Sequence, residues 1–269
     1  VLVETEAAPY EIHCAEIWGG ASVKEDEVVT PGVRAAIHSS ASGAAKGGDL
    51  YYFSICAYDT LTRIAIADVR GHGEQVSHLS EWLYRSLEAR MNDADGSRVL
   101  TDLNNIVRAR GFEAITTAVV ATFHRDKGVL HYAYAGHPPL MLGRSHQPWQ
   151  PLEAEGGLPL GILPDAKYVQ ESVHVAPGDR LFFYTDGVAE CPGSGDSLYG
   201  DEDMLASLNR HLGKPVAEVR TALREDLTNF AGGTLLHDDV TFLLVEVRQP
   251  PPFWKRRIIP GKPRVGALR

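Results

Sequence analysis

Two apolar runs separated by four residues constrain this chain most. Thr117 to His124 and Val129 to Tyr134 read as strands, with only Arg125-Asp126-Lys127-Gly128 between them. A parallel crossover takes about a dozen residues or more, so this pair is a hairpin and its sheet is antiparallel there. Alternation and β-branched content mark further strands at about Tyr51 to Tyr58, Arg63 to Asp68, Leu140 to Leu142, Tyr168 to Val175, Arg180 to Tyr184 and Val240 to Val247. Helical patterns fall at about Glu74 to Met91, Arg98 to Arg110, Asp201 to Leu212 and Pro215 to Phe230, with Pro215 in the first turn, where its missing N–H costs nothing. The order is strands, a helix pair, strands, a second helix pair and a last strand. A doubly wound parallel sheet alternates strand and helix regularly, so the expected class is α+β, mainly antiparallel sheet covered by helices.

With 44% hydrophobic and 23% charged residues in 269, the chain buries a sizeable core. No apolar run reaches the ~18 residues of a membrane helix, and Val1 to Pro9 lacks the zones of a signal peptide. Cys14, Cys56 and Cys191 are scattered and without metal-type spacing, which suits a reducing cytoplasm. The formal charge is −9, but seven of the basic residues and no acidic ones lie in 248–269, leaving −16 on residues 1–247. So acidic a body repels nucleic acid and suits divalent cations. Residues 1–247 read as one domain, and 248–269 as a basic, Pro-rich, solvated extension.

Four places set an aspartate beside glycine or at a strand edge: Gly47-Gly48-Asp49 before a strand, Asp68 in Ala67-Asp68-Val69-Arg70-Gly71-His72-Gly73, Asp186 in Tyr184-Thr185-Asp186-Gly187, and His237-Asp238-Asp239 at the start of the last strand. Each alone is an ordinary turn or cap residue. Brought together, they would repel one another unless cations lay among them. Hard carboxylate oxygens without a Cys or His cluster select Mg²⁺ or Mn²⁺. Two such ions neutralise four carboxylates and admit a phosphate dianion, which makes phosphoester hydrolysis the natural chemistry. No GxGxxG or Walker signature supports a nucleotide site.

The ordered set "GGDLYYF", "IADVRGHG", "TTAVVATFHRDKGVLHYAYAGHPPL", "LPLGI", "PGDRLFFYTDGVAE" and "HDDVTFLLVEV" resembles the SpoIIE-type branch of the PPM (PP2C-like) serine/threonine phosphatases, from about Tyr10 to Val247. The resemblance implies a sandwich of two antiparallel sheets flanked by helices, with two Mn²⁺ or Mg²⁺ ions between the sheets. It makes Asp68 the bridging aspartate and Val69 the residue whose carbonyl contacts the second metal. Asp186 and Asp238 become further ligands of the first, and Asp49 the acidic residue near the second; between Asp238 and Asp239 it favours Asp238. A metal-bridging hydroxide would attack phosphorus directly.

His72 is a candidate general acid for the leaving serine oxygen, since an ordinary imidazole pKa of ~6.5 suits that work; a structural loop histidine is the competing reading. His137, in Ala135-Gly136-His137-Pro138, reads as loop packing. Lys46, Arg34 and Arg70 are candidate phosphate-contacting cations against the plainer reading of solvated surface charge. Val76, Leu79, Leu83 and Leu87 form a core-facing stripe on the helix 74–91, which in relatives resembles a regulatory switch and a dimer surface, with Trp82 and Tyr84 as partner contacts. The implied substrate is a phosphorylated bacterial regulatory protein of the anti-sigma-factor-antagonist (STAS) type, with a sensor or activating partner supplied separately. The alternatives are a catalytically silent metal-binding module that captures a phosphoprotein, and small-molecule phosphoester hydrolysis.

Overall fold

A computed structural model describes residues 9–249 apart from Ala15, Tyr58 and His146. The basic extension read over 248–269 lies outside the described residues from position 250 onward. The strands are β1 (Tyr10–Glu11), β2 (Ile17–Ser22), β3 (Lys24–Val29), β4 (Val33–Ser40), β5 (Lys46–Cys56), β6 (Leu61–Val69), β7 (Thr116–His124), β8 (Val129–Ala135), β9 (Met141–Gly143), β10 (Gln150–Pro151), β11 (Glu171–His174), β12 (Arg180–Tyr184) and β13 (Val240–Val247). The helices are α1 (Ser77–Glu88), α2 (Gly96–Arg110), α3 (Asp186–Ala189), α4 (Gly200–Arg210) and α5 (Val216–Phe230).

One sheet has the order β1-β3-β4-β13-β12-β9-β10 and the other β11-β8-β7-β6-β5-β2. The named strands pair antiparallel except for β1 with β3. Period-two alternation explains the sandwich. Tyr51 and Phe53, Ile64 and Ile66, and Val119 and Phe123 face Ile37, Leu181, Phe183, Leu243 and Val245 across the middle. The opposite faces take helices. Leu79, Leu83 and Leu87 of α1 and Val99, Leu100, Leu103 and Val107 of α2 lie on Ala65, Ala67, Val120 and Ala133, whose small side chains let the helices approach closely. Met204 and Leu208 of α4 and Val219, Leu223 and Leu227 of α5 cover Phe182, Phe242 and Leu244. Because β13 is buried on both faces, Val240 to Val247 is a nearly continuous apolar run.

The structure corrects several boundaries. Gly47-Gly48-Asp49 lies inside β5 rather than before it. The helix expected over 74–91 is a 3-10 turn, Gly73–Gln75, followed by α1. Pro215 is the N-cap of α5, with extended ψ of 143°, rather than a first-turn residue. The strand expected over 168–175 is confined to Glu171–His174. Trp82 and Tyr84, read as partner contacts, pack at the rim of the α1–α2 layer, with the Arg110 guanidinium 5.4 Å over the Trp82 ring. Among the described residues no helix is long and apolar enough to cross a membrane.

Candidate metal centre

Antiparallel pairing draws two of the aspartates together directly. Asp49 in β5 stands opposite Asp68 in β6, two residues along from the Tyr51–Ile66 pair that faces the middle of the sandwich. Period-two alternation therefore turns both carboxylates to that inner side, at the end of the sandwich where β5 begins and β6 ends. Like charges placed opposite each other destabilise a sheet. Asp49 is only 3% exposed, and burial first, then Asp239 and Asp186, raise its carboxyl well above the usual range against the opposing effect of hydroxyl hydrogen bonds. Asp68 is likewise raised, by burial and then by Asp49, Asp186, Asp238 and Asp239.

The facing sheet supplies the rest. β12 ends at Tyr184 and β13 begins at Val240, with Tyr184 opposite Phe242. Asp186 follows β12 and Asp238 precedes β13 at this same end. Asp238 is half-buried; burial, Asp186 and Asp239 raise its pKa, while the nearby His72 acts against them. Thr185 joins the two sheets, its Oγ1 donating to Asp49 Oδ2 at 2.8 Å and accepting from the Thr241 backbone N–H at 3.1 Å. In the sequence, only the position of Thr185 between Tyr184 and Asp186 points to this role.

Neighbouring Asp238 and Asp239 are physically distinct. Asp239 is buried and accepts backbone N–H bonds from Ser42 (2.7 Å), Gly48 (2.6 Å) and Gly73 (3.2 Å), three separate segments held by one carboxylate. Asp238 accepts one such bond, from the Asp239 N–H at 2.8 Å. The glycines make this packing possible. A Cβ on Gly47 would lie 2.3 Å from Asp239 Oδ2, and one on Gly48 2.7 Å from the Val69 carbonyl oxygen. Gly71 and Gly73, with φ of +100° and +68°, turn the chain out of β6 through conformations that favour glycine.

The candidate cations separate as well. Arg34 pairs with Glu27 at 2.6 Å and lies toward the other end of β4 from Ser40, the residue that pairs with Val240. Lys46 is ion-paired to Glu81 of α1. Arg70 is exposed beside Val69, its backbone N–H bonded to the Ile115 carbonyl at 2.8 Å, and its guanidinium has no partner among the described residues. His72 is exposed on the glycine turn. His137 is buried, its Nδ1 lies 2.9 Å from Thr117 Oγ1, and burial pushes its pKa down to about 3, so it is a neutral packing residue behind Thr117, the β7 partner of Asp68.

Among the described residues no three His, Cys, Asp or Glu side chains already stand as a finished metal cage. The donor set nevertheless fits hard divalent cations. It consists of oxygens only, burial and neighbouring carboxylates raise the pKa values of Asp49 and Asp68, and the side-chain-free Gly48 leaves room for the Val69 carbonyl.

The Stage II sporulation protein E (SpoIIE) family model matches residues 58–248, from β6 through β13, with Asp49 just upstream. The phosphoserine phosphatase RsbU of Bacillus subtilis (strain 168) is 28% identical over 201 residues, covering 74% of this chain and 58% of RsbU. The solved RsbU and RsbW domains of Rv1364c from Mycobacterium tuberculosis align with TM-score 0.71 and 26% identity, over 87% of this chain and 64% of that one. The catalytic domain of the serine/threonine phosphatase PstP, solved with two manganese ions, shares the fold at TM-score 0.54 and 18% identity, over 81% and 99% of the two chains. The chain thus spans somewhat more than half of RsbU. With Asp68, Asp186 and Asp238 all inside the matched region and the two-sheet, helix-flanked sandwich in place, the chain belongs to the SpoIIE family of PP2C-like phosphatase domains.

Proposed function

We propose that this protein is a metal-dependent phosphoserine/phosphothreonine protein phosphatase whose substrate is a bacterial regulatory protein of the anti-sigma-factor-antagonist type. The observation that carries the reading is the Asp49–Asp68 pair across β5 and β6, facing Asp186 and Asp238 of the other sheet. In this reading Asp68, Asp186 and Asp238 hold one Mn²⁺ or Mg²⁺, and Asp68, the Val69 carbonyl and Asp49 hold a second. Bound there, the ions offset the carboxylate charge, admit a phosphate dianion and make water nucleophilic near neutral pH.

The remaining work falls to the chain's own groups. Thr185 Oγ1 fixes one oxygen of Asp49 and so orients the other. Asp239 holds the glycine turn against β5 and keeps the Val69 carbonyl at Gly48. Arg70, without a side-chain partner among the described residues, is the best-placed cation for a substrate phosphate oxygen. His72 would deliver the proton to the departing seryl oxygen. RsbU's designation as a phosphoserine phosphatase supports the substrate class.

The test is Mn²⁺-dependent phosphate release from a phosphoserine peptide and from p-nitrophenyl phosphate, with Asp68→Asn and Asp186→Asn as controls. Release that requires the metal and is lost in both variants supports the site. Metal binding in calorimetry without any turnover would favour the silent phosphoprotein-capturing module.

A further inference from the structure

His237 opens the His-Asp-Asp run before β13, and the chemistry above leaves it without a task. Its half-buried side chain reaches a segment 50 residues away in sequence, with Nε2 2.9 Å from the Gly187 carbonyl oxygen. A carbonyl oxygen only accepts, so Nε2 carries the hydrogen and donates. The other ring nitrogen, Nδ1, is buried and has no hydrogen-bond partner among the described residues, so the bond to Gly187 is the one the imidazole makes. Gly187 follows Asp186, and His237 precedes Asp238. On the other side of the two carboxylates the same segments are already joined: Thr185 N–H donates to the Thr241 carbonyl at 2.9 Å, and Thr241 N–H donates to Thr185 Oγ1 at 3.1 Å. Asp186 and Asp238 therefore lie within a clamp, closed by Thr185 and Thr241 at one end and by Gly187 and His237 at the other.

Glycine at position 187 lets the clamp close. A Cβ there would stand 2.1 Å from the Asp239 carbonyl oxygen, so α3 starts against the base of β13 only because no side chain intervenes. Asp239 and Ser42 hold the 236–239 segment toward β5 and the glycine turn, with Ser42 Oγ donating to the Leu236 carbonyl at 2.8 Å. Among the described residues, His237 makes that segment's one side-chain hydrogen bond to α3. The tie works against a repulsion. Burial and the Asp186 carboxylate both disfavour charge on Asp238, so in the absence of a cation the two segments gain by moving apart. Ligands already held together have less freedom to lose when an ion binds. We infer that His237 is a positioning residue: it fixes the spacing of Asp186 and Asp238 and so sets the affinity for the divalent ion they share, without touching substrate or the reacting atoms. The inference rests on the metal assignment of the proposed phosphatase and adds a residue to it.

The experiment titrates Mn²⁺ into the whole chain by calorimetry, for the wild type and for His237→Ala, His237→Asn and His237→Gln. The Gln amide nitrogen can take the place of Nε2 and donate to Gly187, whereas the Asn amide is one methylene short of it. His237→Ala and His237→Asn should weaken one of the two Mn²⁺ binding steps by about 10–100-fold, the range for residues that orient metal ligands, and His237→Gln should stay within about threefold of the wild type. The Mn²⁺ concentration giving half-maximal release from p-nitrophenyl phosphate should rise in the same order. A histidine that served packing alone would lower the urea midpoint in chelator for all three variants without separating Gln from Asn in Mn²⁺ affinity. If His237→Ala does not fold, the comparison of Asn with Gln decides by itself. An Asn variant that binds Mn²⁺ as the wild type does, or a Gln variant weakened as far as Asn, overturns the clamp and leaves the carboxylate centre standing. Mn²⁺ bound by the wild type without turnover of p-nitrophenyl phosphate or a phosphoserine peptide overturns the phosphatase reading alone. A wild type that binds no Mn²⁺ overturns both.

Discussion

Asp68 carries two opposing consequences. Its carboxyl sits opposite buried Asp49, where burial and the neighbouring carboxylates disfavour its charged form, so in metal-free protein it lowers stability, while in the proposed mechanism it is indispensable. Asp68→Asn should therefore raise the melting temperature of the metal-free protein and abolish its further rise on adding Mn²⁺. It should also reduce metal-dependent turnover by on the order of a hundredfold or more, as loss of several kcal/mol of metal-assisted stabilisation requires. A variant that melts lower than wild type in chelator, or keeps its turnover, contradicts the assignment. Asp238 and Asp239 give a paired contrast. Asp239→Ala strands the N–H groups of Ser42, Gly48 and Gly73 and should cost about 2–5 kcal/mol in urea unfolding. Asp238→Ala should leave the unfolding midpoint nearly unchanged and remove activity. The sequence made both residues visible but only their surroundings distinguish them: identical side chains one residue apart differ solely in which backbone donors reach them.

At the scale of elements, the strands that the periodic pattern revealed are the ones buried on one or both faces, such as β6, β7 and β13. Those it concealed have physical reasons to be concealed. β3, Lys-Glu-Asp-Glu-Val-Val, opens with four consecutive charged residues near the edge of its sheet, where charge discourages edge-to-edge association. β4 holds Ala35 and Ala36 in a tightly covered place, so its sequence lacks the bulky alternation that announces a strand. Gly47 and Gly48 argued against a strand start for β5, yet they occur within it because Asp239 and the Val69 carbonyl need the space. The same junctions set the next prediction. Thr185 joins β12 to β13 and, through Asp49, to β5. Thr185→Val keeps the shape and removes the donor, so calorimetric Mn²⁺ affinity should weaken roughly 10–100-fold, as for other residues that orient ligands. Unfolding should lose only about 1–2 kcal/mol. Unchanged Mn²⁺ affinity would deny Thr185 that orienting role.

For the whole molecule, the hairpin at Arg125 to Gly128 and the strand–helix order foretold a helix-covered antiparallel fold, because connection length limits topology independently of distant contacts. The charge of a remote buried histidine was not foretold. His38, on the helix-covered face of β4, is 7% exposed, with its ring 5.1 Å from Phe242. Burial first, and then Arg224 and Arg220 of α5, push its pKa down to about 4 from an ordinary 6.5, while Glu25, opposite it on β3, pairs with both arginines. A histidine whose folded pKa lies below its unfolded value contributes fully above pH 6.5. As the pH falls from there, the unfolded chain takes up the proton first, so stability declines until about pH 4, where the folded state also binds it. Between pH 7 and pH 5 this one group should withdraw about 2 kcal/mol. The raised carboxyls of Asp49 and Asp68 act in the opposite sense, since their folded forms hold protons the unfolded chain has released, and total stability mixes the two. The difference between wild type and His38→Leu isolates the imidazole. Urea unfolding in chelator should show the wild-type-minus-variant difference in stability falling by about 2 kcal/mol from pH 7 to pH 5, as the wild type loses stability that the variant keeps. Parallel curves would mean that the folded chain protonates His38 as readily as the unfolded one, and that the layer between β4 and α5 admits water to it.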